Sequence, residues 1–225
     1  GIIFYLTHKT LDHTFAYLER KFAKKPAVID LNKAVLTEGF EYADKLELIH
    51  SKIVEVAKAD MPKGRYRNIT GNVATAWGLL AAAERAGLKL FLGSYPITPA
   101  TDVMIELAKH KALGAKVFQA EDEIAGICSA IGASYAGAMA CTSTSGPGLS
   151  LKSEALGLAV MTELPLVVVD VQRGGPSTGL PTKTEQSDLN QALFGRNGEA
   201  PCIVVAASSS ANCFYWAYNA AKLAL

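Results

Sequence analysis

Glu121, Asp122 and Glu123 stand in a row ahead of a run of mostly small residues. Carboxylates so placed can hold or move a proton, and a helix starting there stabilises their charge at its positive end. Acids are favoured in any first helical turn, so an ordinary helix start reads the same way. Arg173 closes the run Pro165–Val171, apolar apart from Asp170, and needs a partner there. Its planar fork suits a substrate carboxylate held by two bonds, and an ion pair with a local carboxylate is the other reading. Thr98 lies between Pro96 and Pro99 in a turn that both prolines stiffen. Its hydroxyl either caps a helix opening at Pro99 or points into a crevice. Thr142-Ser-Thr-Ser-Gly-Pro-Gly148 offers hydroxyls and backbone N–H groups that can hold an anion or a polar ligand. No Gly-Lys-Ser/Thr follows its glycines, so it is not a P-loop. Gln172–Thr182 is a long polar loop without periodicity, suited to lining a site or folding over it.

These segments need elements to hold them. Short apolar runs at Leu88–Leu92, Val117–Phe118, Met139–Thr142, Pro165–Val171 and Cys202–Ala206 predict strands. Between them, helices are expected over Pro99–Leu113, Asp122–Ala136, Leu149–Thr162 and Asp188–Phe194. Another, capped by Asn68 or Thr70, precedes them and runs through Ala86, and a last one begins at Asn212. Strands alternating with helices mean an α/β fold with a doubly wound parallel sheet, over residues 69–225. Pro165–Val171 has the apolar character of a central strand covered on both faces. In such sheets the carboxyl ends of the strands build the ligand site, and the polar segments above all follow predicted strands. The predicted helix from Asp122 is small on nearly every side, through Ala125, Gly126, Ser129, Ala130, Gly132, Ala133, Ala136 and Gly137. That leaves room for a flat cofactor, for tight packing at a subunit interface, or for both.

Residues 1–60 read as a helical segment outside that domain. Leu11, Phe15, Leu18 and Phe22 recur at helical spacing before Lys24-Lys-Pro26, and a second helix covers Val28–Tyr42. His8 and His13 do not share a helical face and receive no metal role. Residues 61–68, with Pro62, Gly64 and several cations, read as an exposed linker.

The 225 residues carry a formal net charge of +1, which argues against a nucleic-acid partner. Cys128, Cys141, Cys202 and Cys213 show no C-x-x-C spacing and read as reduced thiols of a cytoplasmic protein, with no metal site in this chain. No apolar run is as long as a membrane span. The start at Gly1 and the stop within a helix lead us to expect a fragment, truncated at its carboxyl end.

Gly71-Asn-Val-Ala74, Tyr95-Pro-Ile-Thr-Pro99, Glu121-Asp-Glu-Ile124, Thr144-Ser-Gly-Pro-Gly148 and Gln172–Thr182 together, in this order and spacing, resemble the alpha subunit of 2-oxoacid:ferredoxin oxidoreductases. The resemblance covers residues 69–206. More weakly, residues 1–60 resemble the end of the gamma domain that some members fuse ahead of alpha. It implies a thiamine diphosphate-binding domain of the pyrimidine-binding type. The cofactor would be shared with a beta subunit that holds the diphosphate, Mg2+ and a 4Fe-4S cluster. The implied reaction is CoA-dependent oxidative decarboxylation of a 2-oxoacid, with electrons passed to ferredoxin, in the cytoplasm and in anaerobic metabolism. 2-Oxoglutarate ranks first as substrate, ahead of pyruvate and branched 2-oxoacids. A hetero-oligomer with a dimer of catalytic units is expected.

By the same resemblance Glu123, with Glu121 as runner-up, bonds the pyrimidine ring nitrogen and favours the imino form that takes the thiazolium proton. Tyr95, Pro96, Ile97, Ser145 and Gly146 contact the cofactor. Thr98 contacts cofactor or substrate, Arg173 binds the substrate carboxylate, and Thr182 shapes the side-chain pocket. Two alternatives stay open, a non-oxidative thiamine diphosphate enzyme subunit and a catalytically idle scaffold.

Overall fold

The computed structural model describes residues 1–46 and 57–225. The expected helical character of residues 47–56 therefore lies outside the described residues. The chain divides into two compact units, Gly1–Arg65 and Tyr66–Leu225.

In the first unit three helices are described, α1 (Ile2–Leu6), α2 (Asp12–Lys21) and α3 (Pro26–Lys45). Pro26 sits in the first turn of α3, where its missing N–H and preset φ suit a helix start. Tyr5 packs edge-on against Phe40, with ring centroids 5.4 Å apart, and Lys33 reaches Glu19 at 2.6 Å. Leu31 and Val35 are exposed on α3.

The second unit opens with α4 (Gly71–Ala86), capped by the Thr70 hydroxyl, which accepts from Val73 N at 3.3 Å. Four strands follow: β1 (Leu90–Ser94), β2 (Lys116–Gln119), β3 (Met139–Thr144) and β4 (Val167–Asp170). They form one parallel sheet in the order β2-β1-β3-β4. The helices between and after them are α5 (Thr101–Ala108), α6 (Glu123–Tyr135), α7 (Gly146–Met161), α8 (Leu189–Phe194) and α9 (Ser210–Ala224). Leu79, Leu90, Leu92, Val103, Leu107, Met139, Val167 and Ala221 bring α4, α5 and α9 into one core with the sheet. Ile127, Ile131, Ala155 and Ala159 pack α6 on α7 in a second core. The doubly wound parallel α/β expectation is met. Helix α6 lies close on β1, because a methyl group at Gly93 would fall 2.4 Å from Gly126 O.

Three local expectations are corrected. Cys202–Ala206 forms no strand; it lines, together with β4, a cavity of about 650 Å³. A β-branched run becomes a strand only where a neighbour accepts its ladder, and here Ile203 is 70% exposed. β4 is accordingly an edge of the described sheet and only partly buried, not a central strand. The predicted helix over Pro99–Leu113 is shorter, running from Thr101 to Ala108, with a separate 3-10 turn at Lys111–Leu113.

Candidate active site at the carboxyl edge of the sheet

β1 and β3 are neighbours, yet the chain leaves them toward opposite faces. From β1 it passes to α5 in the first core, and from β3 to α7 in the second. Such a reversal opens a crevice at the carboxyl ends of the two strands. Its base is tied by Ser94, whose Oγ donates to Ser143 O at 2.7 Å and lies 2.9 Å from Ser143 Oγ.

The segment after β1 carries Tyr95, Pro96, Ile97 and Thr98. Pro96 and Ile97 are half-buried, and Tyr95 and Thr98 more exposed. Thr98 does not cap a helix. The Thr98–Pro99 bond is cis, Ala100 occupies the N-cap of α5, and the turn is held from outside. Arg173 Nη1 donates to Thr98 O at 2.7 Å, and Asn72 Nδ2 to Pro99 O at 2.8 Å.

The segment after β2 brings the acids. Asp122 caps α6, its Oδ1 accepting from Ala125 N at 2.7 Å. Glu123 is the first residue of the helix and half-buried, whereas Glu121 is exposed ahead of it. The Glu123 side chain lies on Gly148 at the start of α7. A methyl group there would stand 3.0 Å from Glu123 Cγ and 2.0 Å from Thr144 Oγ1, so only glycine leaves the space.

The segment after β3 supplies Ser145 and Gly146 at the opening of α7. Ser145 is fully buried at the N-cap, and its Oγ has no hydrogen-bond partner. Asp188 faces Gly146, where a methyl group would lie 3.2 Å from Asp188 Oδ2.

β4 delivers Arg173, only 5% exposed. Beyond its bond to Thr98 O, Nη2 donates to Thr178 O at 2.8 Å, and its buried Nε has no partner. The local ion pair considered for it does not form: its partners are main-chain carbonyls. The loop folds back on itself, with Gly174 bridging Leu180 and Ser187 Oγ donating to Arg173 O at 2.9 Å. Thr182 is exposed on the return limb. Gln172 Nε2 donates to Asp188 Oδ1. Burial and the Asp188 carboxyl beside it push Asp170 up to about 8.

Two groups were not singled out from the sequence. Asn72 was quoted only within a motif. Lys152 is fully buried on α7 and donates from Nζ to Glu123 O at 2.7 Å. Burial lowers it to about 8, against the pull of Glu123, Asp122 and Cys128. Lys152 as the single cation of the helix, with Glu154 its only other charged residue, was the available signal. The large cavity beside β4 is lined by none of Thr98, Glu123, Ser145 or Arg173. Among the described residues, no group of three or more His, Cys, Asp or Glu side chains is placed to hold a metal ion. Among them, too, no helix is long and apolar enough to cross a membrane.

A parallel α/β sheet with Glu123, Ser145 and Arg173 at its switch-point edge has the layout of a cofactor-binding enzyme domain. The chain belongs to the family described as pyruvate flavodoxin/ferredoxin oxidoreductase, thiamine diP-bdg (thiamine diphosphate-binding), whose model matches residues 81–225. It is 54% identical over 225 residues to the 2-oxoglutarate oxidoreductase subunit KorA of Mycobacterium tuberculosis, covering all of this chain and 34% of that one. It is 38% identical over 215 residues to the alpha subunit of 2-oxoacid:ferredoxin oxidoreductase 1 of Aeropyrum pernix, covering 92% of this chain and 32% of that one. Among solved structures, it resembles 2-oxoglutarate:ferredoxin oxidoreductase from Magnetococcus marinus, determined with 2-oxoglutarate, coenzyme A and succinyl-CoA bound. That match has a TM-score of 0.78 and 40% identity, and covers 100% of this chain and 38% of the other. The chain thus spans about a third of the length of these relatives.

Proposed function

We propose that this chain supplies the pyrimidine-facing half of a thiamine diphosphate site in the alpha subunit of a 2-oxoacid:ferredoxin oxidoreductase, acting on 2-oxoglutarate. The observation that carries the reading is the seat of Glu123 on Gly148, at the crevice between the carboxyl ends of β1 and β3. The residues present fit a flat polar cofactor. Gly148 makes room for the Glu123 side chain at the crevice, and Ser145 Oγ and Arg173 Nε are buried donors without partners. The family description and the named relatives support the cofactor and the substrate class.

When bound, thiamine diphosphate supplies the electron sink for loss of CO2 from a 2-oxoacid. Glu123 holds a proton on its carboxylate at the pyrimidine ring nitrogen and returns it. Tyr95, Pro96 and Ile97 form one wall of the crevice, and Ser145 and Gly146 lie at the opening of α7. Arg173 positions the Thr98 turn and offers its remaining N–H groups to the substrate carboxylate. Thr182 shapes the side-chain pocket from the loop. Residues 1–60 are the end of a gamma domain, residues 61–68 a linker, and 69–225 belong to the pyrimidine-binding domain. The diphosphate, Mg2+ and a 4Fe-4S cluster belong to a beta subunit, ferredoxin takes the electrons, CoA takes the acyl group, and two catalytic units pair in the cytoplasm.

Glu123→Gln tests the reading in the complete polypeptide purified with its partner subunit. Losing a general acid–base group typically lowers rates by ~10²–10⁴-fold, and a loss at the high end is expected here. Near-normal turnover would remove Glu123 from the role.

A further inference from the structure

Helix α7 carries one cation, Lys152, and buries it completely. Nothing about the helix itself asks for it. The preceding and following positions are leucine and serine, and Ala155, three residues on, belongs to an apolar core. A buried ammonium is strongly disfavoured unless charges and acceptors compensate it. Lys152 lies one helical turn after Gly148, on the same face, and so points toward the side chain that rests on Gly148. Its Nζ bonds the main-chain oxygen of Glu123 at 2.7 Å, which ties α7 to the first turn of α6. The amino end of a helix repels cations, so this contact runs against the dipole of α6. The groups that offset the repulsion are the Glu123 and Asp122 carboxylates.

We propose that Lys152 is the positioning residue of Glu123: its bond to the main-chain oxygen fixes the first turn of α6, and with it the place of the Glu123 carboxyl group over Gly148. The proposal rests on the reading of Glu123 given above. Losing the bond displaces the proton-carrying group while the substrate-binding residues stay in place, so kcat falls and KM for the 2-oxoacid does not, a split that loss of packing alone does not give.

The test uses the complete enzyme with Lys152→Met, which removes bond and charge, and Lys152→Gln, which keeps a donor and removes the charge. Thiamine-dependent kcat, KM for the 2-oxoacid and the calorimetric Kd for thiamine diphosphate are measured for each, with thermal melts. Lys152→Met is expected to lower kcat by up to about 10²-fold with KM for the 2-oxoacid unchanged, the cost of a misplaced reacting group, and Lys152→Gln to recover part of the loss. Wild-type kcat in folded Lys152→Met overturns the proposal, and so does failure of both variants to fold, which would make Lys152 purely structural. Glu123→Gln is run in parallel. If it keeps normal turnover, the reading of Glu123 falls. If it is inactive while the Lys152 variants keep wild-type kcat, only the role of Lys152 falls.

Discussion

Arg173 donates from Nη1 to the main-chain oxygen of Thr98 at 2.7 Å, joining the loop after β4 to the turn after β1. These loops are 75 residues apart in sequence. The contact shapes the crevice whether or not the guanidinium also meets substrate. Hydrogen bonds to charged groups are worth about 1.5–3 kcal/mol each, and Arg173 makes two to carbonyls. Arg173→Ala is expected to lower Tm, raise KM for the 2-oxoacid and reduce kcat. An unchanged KM alongside a lowered Tm would confine Arg173 to holding the turn. Steady-state kinetics with thermal melts separate the two.

Gly148 is the floor under Glu123. Gly148→Ala puts a methyl group 2.0 Å from Thr144 Oγ1 and 3.0 Å from Glu123 Cγ, so both must shift. The predicted result is a folded protein destabilised by about 1–3 kcal/mol, in the range of core overpacking, with weakened thiamine diphosphate binding. Calorimetric titration with the cofactor measures this, and wild-type affinity would show that Glu123 needs no such seat.

The Asp170 and Asp188 pair predicts a pH dependence of stability. Asp170 is pushed up to about 8, chiefly by burial and then by Asp188. An unfolded aspartate titrates near 3.9, so between about 4 and 8 the unfolded chain releases a proton that the folded one keeps. Stability therefore falls as pH rises through that window. Asp170→Asn replaces the carboxyl O–H donor with an amide. It is expected to be more stable than wild type at pH 8 and to converge with it below pH 4, as denaturant melts would report.

Glu106 has the opposite sign. Lys109, Trp77 and His110 hold its carboxylate, with Nζ at 2.7 Å and the indole N–H at 2.8 Å, and lower it to about 2. This contribution is present above the ordinary glutamate range and is lost as pH falls from about 4 to 2. Glu106→Gln should lower Tm at neutral pH and flatten the acid limb of the stability curve. Parallel acid limbs would argue against the assignment.

The parallel sheet was legible because each strand from β1 to β4 is a short apolar run between helical stretches, a local pattern. The meeting of the Thr98, Glu123, Ser145 and Arg173 segments at one edge follows from parallel topology, which sends every carboxyl end the same way. Pairing was not legible. Cys202–Ala206 has the composition of a strand, yet its state depends on a neighbour far away in the chain. The start of α5 was misplaced because Pro99 suits a first helical turn, while bonds from Arg173 and Asn72 hold that turn outside the helix. Lys152 went unnoticed for a related reason: the burial of one lysine depends on which helix packs over it.

The most direct test follows reduction of a low-potential dye by the complete polypeptide purified with its partner subunit. A panel of 2-oxoacids is offered with CoA, with and without thiamine diphosphate. The expected result is thiamine-dependent reduction that favours 2-oxoglutarate and disappears in Glu123→Gln. No reduction in a complex that retains the cofactor and an intact iron–sulfur cluster would contradict the oxidoreductase reading and point to non-oxidative thiamine chemistry; a complex that binds no thiamine diphosphate would be a scaffold.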